Sequence, residues 1–119
     1  MKIESFKDLT VWQRSIELVK EVYQETANLP QSEIYGLTSQ MRRCAVSIPS
    51  NIAEGKKRGT RKDYVHFLRI ANGSAAELET QSIITKEIYK LNTSEIDSKL
   101  EEVQKMLSVM IKKLEQPKS

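Results

Sequence analysis

Four stretches of this chain repeat apolar residues at intervals of three and four, the spacing that lines one face of an α-helix. In the first, Leu9, Trp12, Ile16, Val19 and Tyr23 keep that phase and Val22 widens the stripe. Asp8 offers an N-cap and Leu29-Pro30 a stop, so a helix is expected over about 8–28. The second stripe is Leu37, Met41, Cys44, Ala45, Ile48 and Ile52, over about 34–55. Pro49 falls inside it, where proline removes a backbone donor and presses on the carbonyl four residues back, at about 3 kcal/mol. The helix either kinks and continues, or stops and restarts with Asn51 and Glu54 as a capping pair. Ile48 to Ile52 keeps the phase across the proline, so a kinked, continuing helix is the expectation.

A basic loop, Gly55 to Gly59, follows, and Thr60 with Asp63 resembles a capping box that opens a third helix over about 61–91. Its stripe is Tyr64, Phe67, Leu68, Ala71, Ala75, Leu78, Ile84, Ile88 and Leu91. Gly73, Ser74, Ala75 and Ala76 form a small-residue patch that another helix can approach. At 1.5 Å per residue this helix reaches roughly 45 Å, longer than its partners, so its overhang needs a cover. Asn92 is expected to end it and Thr93 or Ser94 to cap a fourth, over about 94–115. There Ile96, Leu100, Val103, Leu107, Met110 and Leu114 form the clearest heptad, widened by Met106 and Ile111. Gln116 to Ser119 reads as a frayed tail. Four amphipathic helices with short connectors imply an all-α, antiparallel up-down-up-down four-helix bundle, one domain over residues 1–119.

Composition agrees with helices. The 119 residues hold only four glycines and three prolines, too few for the turns of a β-sandwich, and 29% are charged. A single cysteine allows no internal disulfide and suits a reducing compartment. No apolar run reaches membrane-span length, and MKIESFKD lacks the apolar core of a signal peptide, so a cytoplasmic protein without membrane contact is expected.

Charge changes the picture more. The formal net charge of +3 conceals a central excess. Residues 42–69 carry Arg42, Arg43, Lys56, Lys57, Arg58, Arg61, Lys62 and Arg69 against Glu54 and Asp63, a net +6, while the stretches on either side are slightly acidic. Such a patch attracts polyphosphate through counterion release; the plainer reading is a solvated helix–helix corner. Tyr64 beside it is expected to be half-buried and His66 to face solvent.

Catalytic chemistry is not written in the sequence. One His and one Cys cannot build a zinc site, and GKKRG lacks the spacing and preceding strand of a phosphate loop. Cys44 and His66 make a nominal nucleophile pair, but Cys44 falls on an apolar stripe, where cysteines are mostly inert. Glu54, Glu77 and Gln81 are more simply members of a buried polar network at the kink than an acid–base pair. Trp12 reads as a core or interface anchor. No enzyme activity, cofactor or metal is expected.

Three stretches carry a family resemblance: DLTVWQ (Asp8 to Gln13), LTSQMRRCAVSIPSNIAEG (Leu37 to Gly55) and FLRIANGSAAELETQ (Phe67 to Gln81). The chain resembles the bacterial four-helix-bundle proteins called 23S rRNA-intervening sequence proteins, in order from about Phe6 to Leu91; the fourth helix matches in pattern only. The resemblance implies an antiparallel bundle with its second helix bent at Pro49. It also implies similarity in fold to the accessory variability determinant protein of diversity-generating retroelements, a pentameric barrel with a basic exterior that contacts nucleic acid and reverse transcriptase. By that analogy this chain is a homopentamer. The family name describes gene location, and no biochemical activity follows from it. The family pattern has Leu and Ala after ETQ; Ser82 and Thr85 stand in that region here and are expected to be less buried.

Two functional readings result. In the first, a non-enzymatic oligomeric bundle binds RNA or DNA phosphates through Arg42, Arg43, Lys56, Lys57, Arg58, Arg61 and Lys62. In the second, it is an oligomeric scaffold for protein partners with no direct nucleic-acid role.

Overall fold

The computed structural model describes residues 5–117; residues 1–4, in the stretch without a signal-peptide core, and residues 118–119 of the expected frayed tail lie outside the described residues. Four helices, α1 (Thr10–Thr26), α2 (Leu37–Arg58), α3 (Arg61–Tyr89) and α4 (Ser94–Glu115), form the bundle. Each packs on its chain neighbour, and α4 closes back on α1. The α1–α4 edge is antiparallel, as the ion pairs Arg14–Glu102 (3.5 Å) and Lys99–Glu21 (3.7 Å) record. The result is a rod of 52 × 23 × 22 Å.

The α4 bounds match the sequence expectation, and the other three helices shift. Asp8 does not cap α1. It closes a 3-10 turn at Phe6–Asp8, where its carboxylate accepts from the Ser5 N–H (3.2 Å), and α1 begins after Leu9. The second helix starts later and ends later than 34–55, so the supposed GKKRG loop is mostly its last turn. The third ends at Tyr89 with Lys90 in the left-handed region (φ 56°), ahead of Asn92. Asn92 instead accepts from the Ser94 N–H (3.0 Å) at the start of α4.

Pro49 lies inside a continuous α2. Pro49 leaves the Ala45 carbonyl without its helical donor, and the next two carbonyls attract side-chain donors: Ser50 Oγ donates to Val46 O (2.8 Å) and Asn51 Nδ2 to Ser47 O (2.8 Å). The Ser47 and Ser74 hydroxyls meet at 2.8 Å across α2 and α3, and Asn51 reaches Ser47 Oγ at 2.9 Å. The polar network at the proline is built from Ser47, Asn51 and Ser74, and none of the three residues expected there belongs to it: Glu54 pairs with Arg58, and Glu77 and Gln81 lie by Cys44.

The core is Leu18, Val22, Met41, Ala45, Ile48, Ile52, Leu68, Ala71, Ala75, Leu78 and the α4 residues Ile96, Leu100, Val103 and Leu107. Two stripes are rotated from expectation. On α1 the buried row is Val11, Ser15, Leu18, Val22 and Thr26; Trp12, Ile16 and Val19 are half-buried and Tyr23 is exposed. Ser15 and Thr26 are invisible to an apolar count, yet they can be buried because each hydroxyl bonds its own helix, to Trp12 O (2.7 Å) and Val22 O (2.6 Å). On distal α3, Ser82 and Thr85 are buried, contrary to expectation, with Ser82 Oγ donating to Asp97 Oδ1 (2.7 Å) and Thr85 Oγ1 to Met41 Sδ (3.4 Å). Ile84 and Ile88 are exposed instead. Of the small-residue patch, Ser74 and Ala75 are buried, whereas a Cβ at Gly73 would meet nothing within 4 Å. The end of α3 is tied to the α1–α2 connector, where the Tyr89 hydroxyl donates to the Glu33 carboxylate, which also accepts from the Leu37 N–H (3.0 Å).

Candidate nucleic-acid interface

The corner where α2 hands over to α3 is built by two glycines and a threonine. Gly55 lets the helices converge: a Cβ there would sit 2.8 Å from Phe67 Cβ and 3.3 Å from the Tyr64 carbonyl. Gly59 ends α2 in the left-handed conformation (φ 86°), which glycine adopts without steric cost. Thr60 then caps α3, its Oγ1 accepting from the Asp63 N–H (3.2 Å).

Five of the seven sequence-predicted contact residues gather here. Lys57, Arg61 and Lys62 are exposed and have no acidic partner among the described residues. Lys56 is half-buried, its ammonium 5.8 Å from the Tyr64 ring centroid. Arg58 is engaged by Glu54 (2.9 Å) and lies 5.0 Å over the Phe67 ring. Gly55, Lys56, Gly59, Thr60, Arg61 and Tyr64 line a recess of about 150 Å³. Tyr64 is half-buried as expected. Its hydroxyl is buried without a hydrogen-bond partner among the described residues, and desolvation raises its pKa.

The other two predicted residues stand elsewhere. Arg42 and Arg43 precede Lys56 by about 20 Å of helix rise. Arg43 is exposed, and Arg42 is occupied with α1: its Nε donates to Thr26 Oγ1 (3.0 Å), its Nη2 to Tyr23 O (3.3 Å), and its guanidinium stacks 4.5 Å from the Tyr23 ring centroid. That is a cap on the C-terminal end of α1, separate from the corner.

Folding adds cations that a linear stretch does not reveal. The antiparallel order brings the N-terminal turn of α1 and the last turn of α4, with Lys112 and Lys113, to the same end as the corner. An Arg69–Glu115 ion pair fastens α4 to α3 there. The half of the rod formed by residues 5–18, 48–75 and 104–117 carries a formal +6, and the opposite half −4. At the acidic end, desolvation and then the neighbouring Glu21 carboxylate raise the pKa of Glu25. The protein is an electrically polar rod with the α2–α3 corner at its positive end.

Nothing comparable assembles around the remaining reactive groups. Cys44 is buried, and desolvation raises its thiol pKa, the opposite of an activated thiolate. It packs by Glu77 and Gln81, whereas His66 is exposed three turns of α3 away, edge-on to Phe67. Among the described residues no three His, Cys, Asp or Glu side chains are placed to hold a metal ion, and no helix is long and apolar enough to cross a membrane.

The model of the 23S rRNA-intervening sequence protein family matches residues 7–111. The chain belongs to that family. A solved structure from Bacteroides thetaiotaomicron, described as a protein of unknown function from the S23 ribosomal protein family, is similar with a TM-score of 0.77. It is 24% identical in sequence, and the alignment covers 87% of this chain and 99% of that one, a likeness of fold. A search of the curated proteins finds no match. Family membership fixes the bundle and leaves the chemistry of the corner to be read from this chain's own residues.

Proposed function

We propose that this protein is a non-enzymatic, cytoplasmic homo-oligomer, a pentamer, that binds RNA or DNA phosphates through the α2–α3 corner. The observation that carries this reading is a set of cations at one turn with no acidic partner among the described residues: Lys57, Arg61 and Lys62, with Lys56 at their edge, on the positive half of a polar rod. Exposed cations without an ion-pair partner are free to contact phosphate, and a helix–helix corner presents them without reading bases. Arg42 supports α1 in this account, and Arg58 is held partly by Glu54. Self-association is supported by apolar side chains the monomer leaves exposed, Ile83 at 56%, Ile88 at 62% and Val109 at 54% among them.

The test is fluorescence anisotropy with a labelled RNA duplex and a labelled DNA duplex at about 50 mM salt. Reversing Lys57, Arg61 and Lys62 to Glu abolishes binding while leaving the helical circular dichroism unchanged. Absence of wild-type binding, or binding untouched by the reversal, overturns the reading.

The same exposed apolar surface gives weight to the second reading, an oligomeric scaffold for protein partners. Protein partners retained from the native host after nuclease treatment, together with no binding to either duplex, decide for the scaffold.

A further inference from the structure

An open groove of about 610 Å³ runs between the start of α1 and the end of α4, at the same end of the rod as the basic corner but on the α1–α4 edge, with Leu9, Val11, Met106, Val109 and Met110 as its apolar lining. On α4, Lys105 and Val109 line the groove and Lys113 continues their four-residue step one turn beyond it, so the three stack as one row on the helix surface. Lys113 has no acidic partner among the described residues, and Lys105 meets only Glu101 of its own helix, at 3.0 Å. The opposite half of the rod carries the reverse of this row. On α3, Glu79, Ile83 and Glu87 recur at the same four-residue step, with Ile84 and Ile88 beside them, and all three isoleucines are exposed. Asp97 and Glu101 of α4 flank Ile83, which makes its surroundings acidic. One row is cation–apolar–cation and the other anion–apolar–anion, at equal spacing of about 6 Å per step, so a Glu can face a Lys in either helix direction.

We infer that a second copy of this chain seats its Glu79–Ile83–Glu87 row in the α1–α4 groove, along Lys105–Val109–Lys113. This rests on the self-association in the proposed function and names its two surfaces. The surfaces are different, so the contact is heterologous: each copy offers a groove to one neighbour and a row to the next, an arrangement that closes into a ring when the rotation permits. Apolar contact at Val109 and Ile83 gives affinity, and the flanking charges set register and reject a copy docked groove to groove.

The experiment is multi-angle light scattering on the full chain. A groove variant (Lys105→Glu with Lys113→Glu) and a row variant (Glu79→Lys with Glu87→Lys) change only exposed charges, and circular dichroism verifies that both stay folded. Each variant alone falls to monomer mass. Their equimolar mixture reassociates into assemblies larger than a monomer, because unlike variants pair native groove with native row on one side and reversed groove with reversed row on the other, and the chain carrying all four changes regains the wild-type mass. Variants that keep the wild-type mass, or a mixture that stays monomeric, overturn the interface while leaving self-association standing. A monomeric wild-type chain overturns both, and neither outcome bears on binding at the corner.

Discussion

Gly55 and Phe67 pack tightly where α2 and α3 converge: a β-carbon on Gly55 would lie 2.8 Å from that of Phe67, well inside van der Waals contact. The basic corner begins one residue later, so the same contact sets the stretch of helix that carries Lys56 and Lys57. Alanine is ordinarily better than glycine inside a helix by about 1 kcal/mol. Here the sign reverses. Gly55→Ala is expected to destabilise by about 1–3 kcal/mol, the usual cost of overpacking, as a fall in the urea midpoint with an unchanged slope. An unchanged or higher midpoint would show that the helices can part freely.

Arg42 and Lys57 are both arginine or lysine on α2, yet they are expected to fail differently. Arg42→Ala removes charged hydrogen bonds to Thr26 and Tyr23 and should cost about 1–2 kcal/mol of stability, with duplex affinity unchanged. Lys57→Ala should leave the urea midpoint within about 0.5 kcal/mol and weaken the duplex. Paired unfolding and anisotropy measurements separate the two; equal loss of affinity in both variants would place Arg42 at the interface.

Asn51 supplies the donor that occupies the Ser47 carbonyl beside Pro49. Asn51→Leu keeps much of the volume and leaves that carbonyl and the Ser47–Ser74 pair without the amide. A loss of about 1–2 kcal/mol is expected in denaturant unfolding. A neutral effect would mean that the Ser47 carbonyl and hydroxyl gain nothing from the Asn51 amide.

Glu33 and Tyr89 couple the α1–α2 connector to the end of α3. The hydrogen bond from Tyr89, followed by that from the Leu37 N–H, lowers the Glu33 pKa; the same bond raises that of Tyr89. A carboxyl with a depressed folded value contributes stability above its unfolded value, near 4.5, and loses it as pH falls through the lower folded value. The phenol contributes below its unfolded value, near 10, and loses it as pH rises through the higher folded value. Tyr89→Phe should therefore move the Glu33 titration, followed by side-chain carboxyl NMR, up toward an ordinary carboxylate. An unmoved titration would show that Leu37 alone holds it down.

The Cys44 thiol should react with Ellman's reagent at least about tenfold more slowly in the folded protein than in denaturant, since it is buried and its thiolate disfavoured. Equal rates would place it in solvent.

The legible parts of the sequence were those written in apolar residues. The α4 heptad gave the bounds Ser94–Glu115, and its phase holds inside the core through Leu107. The α1 stripe was read about a quarter-turn off, because Ser15 and Thr26 hide in the core by bonding their own carbonyls. In the sequence Gly55 resembles a helix end, although it lies within α2; it serves close packing, which only the neighbouring Phe67 reveals. Five corner cations were legible as one stretch, but the contributions of Lys112 and Lys113 depend on α4 returning to the same end. Arg42 looked like part of that stretch because linear charge counting does not see a hydrogen bond to Thr26.

The most direct test of the corner is the salt dependence of duplex binding by the wild-type chain and by the Lys57, Arg61 and Lys62 reversal. With about four phosphate contacts per subunit, log K against log[salt] should fall with a slope of roughly −3.5, and more steeply when several subunits engage one duplex. The wild type is expected to show that slope and the reversal no measurable binding. A wild-type affinity independent of salt, or the same slope in both proteins, would contradict phosphate binding at the corner.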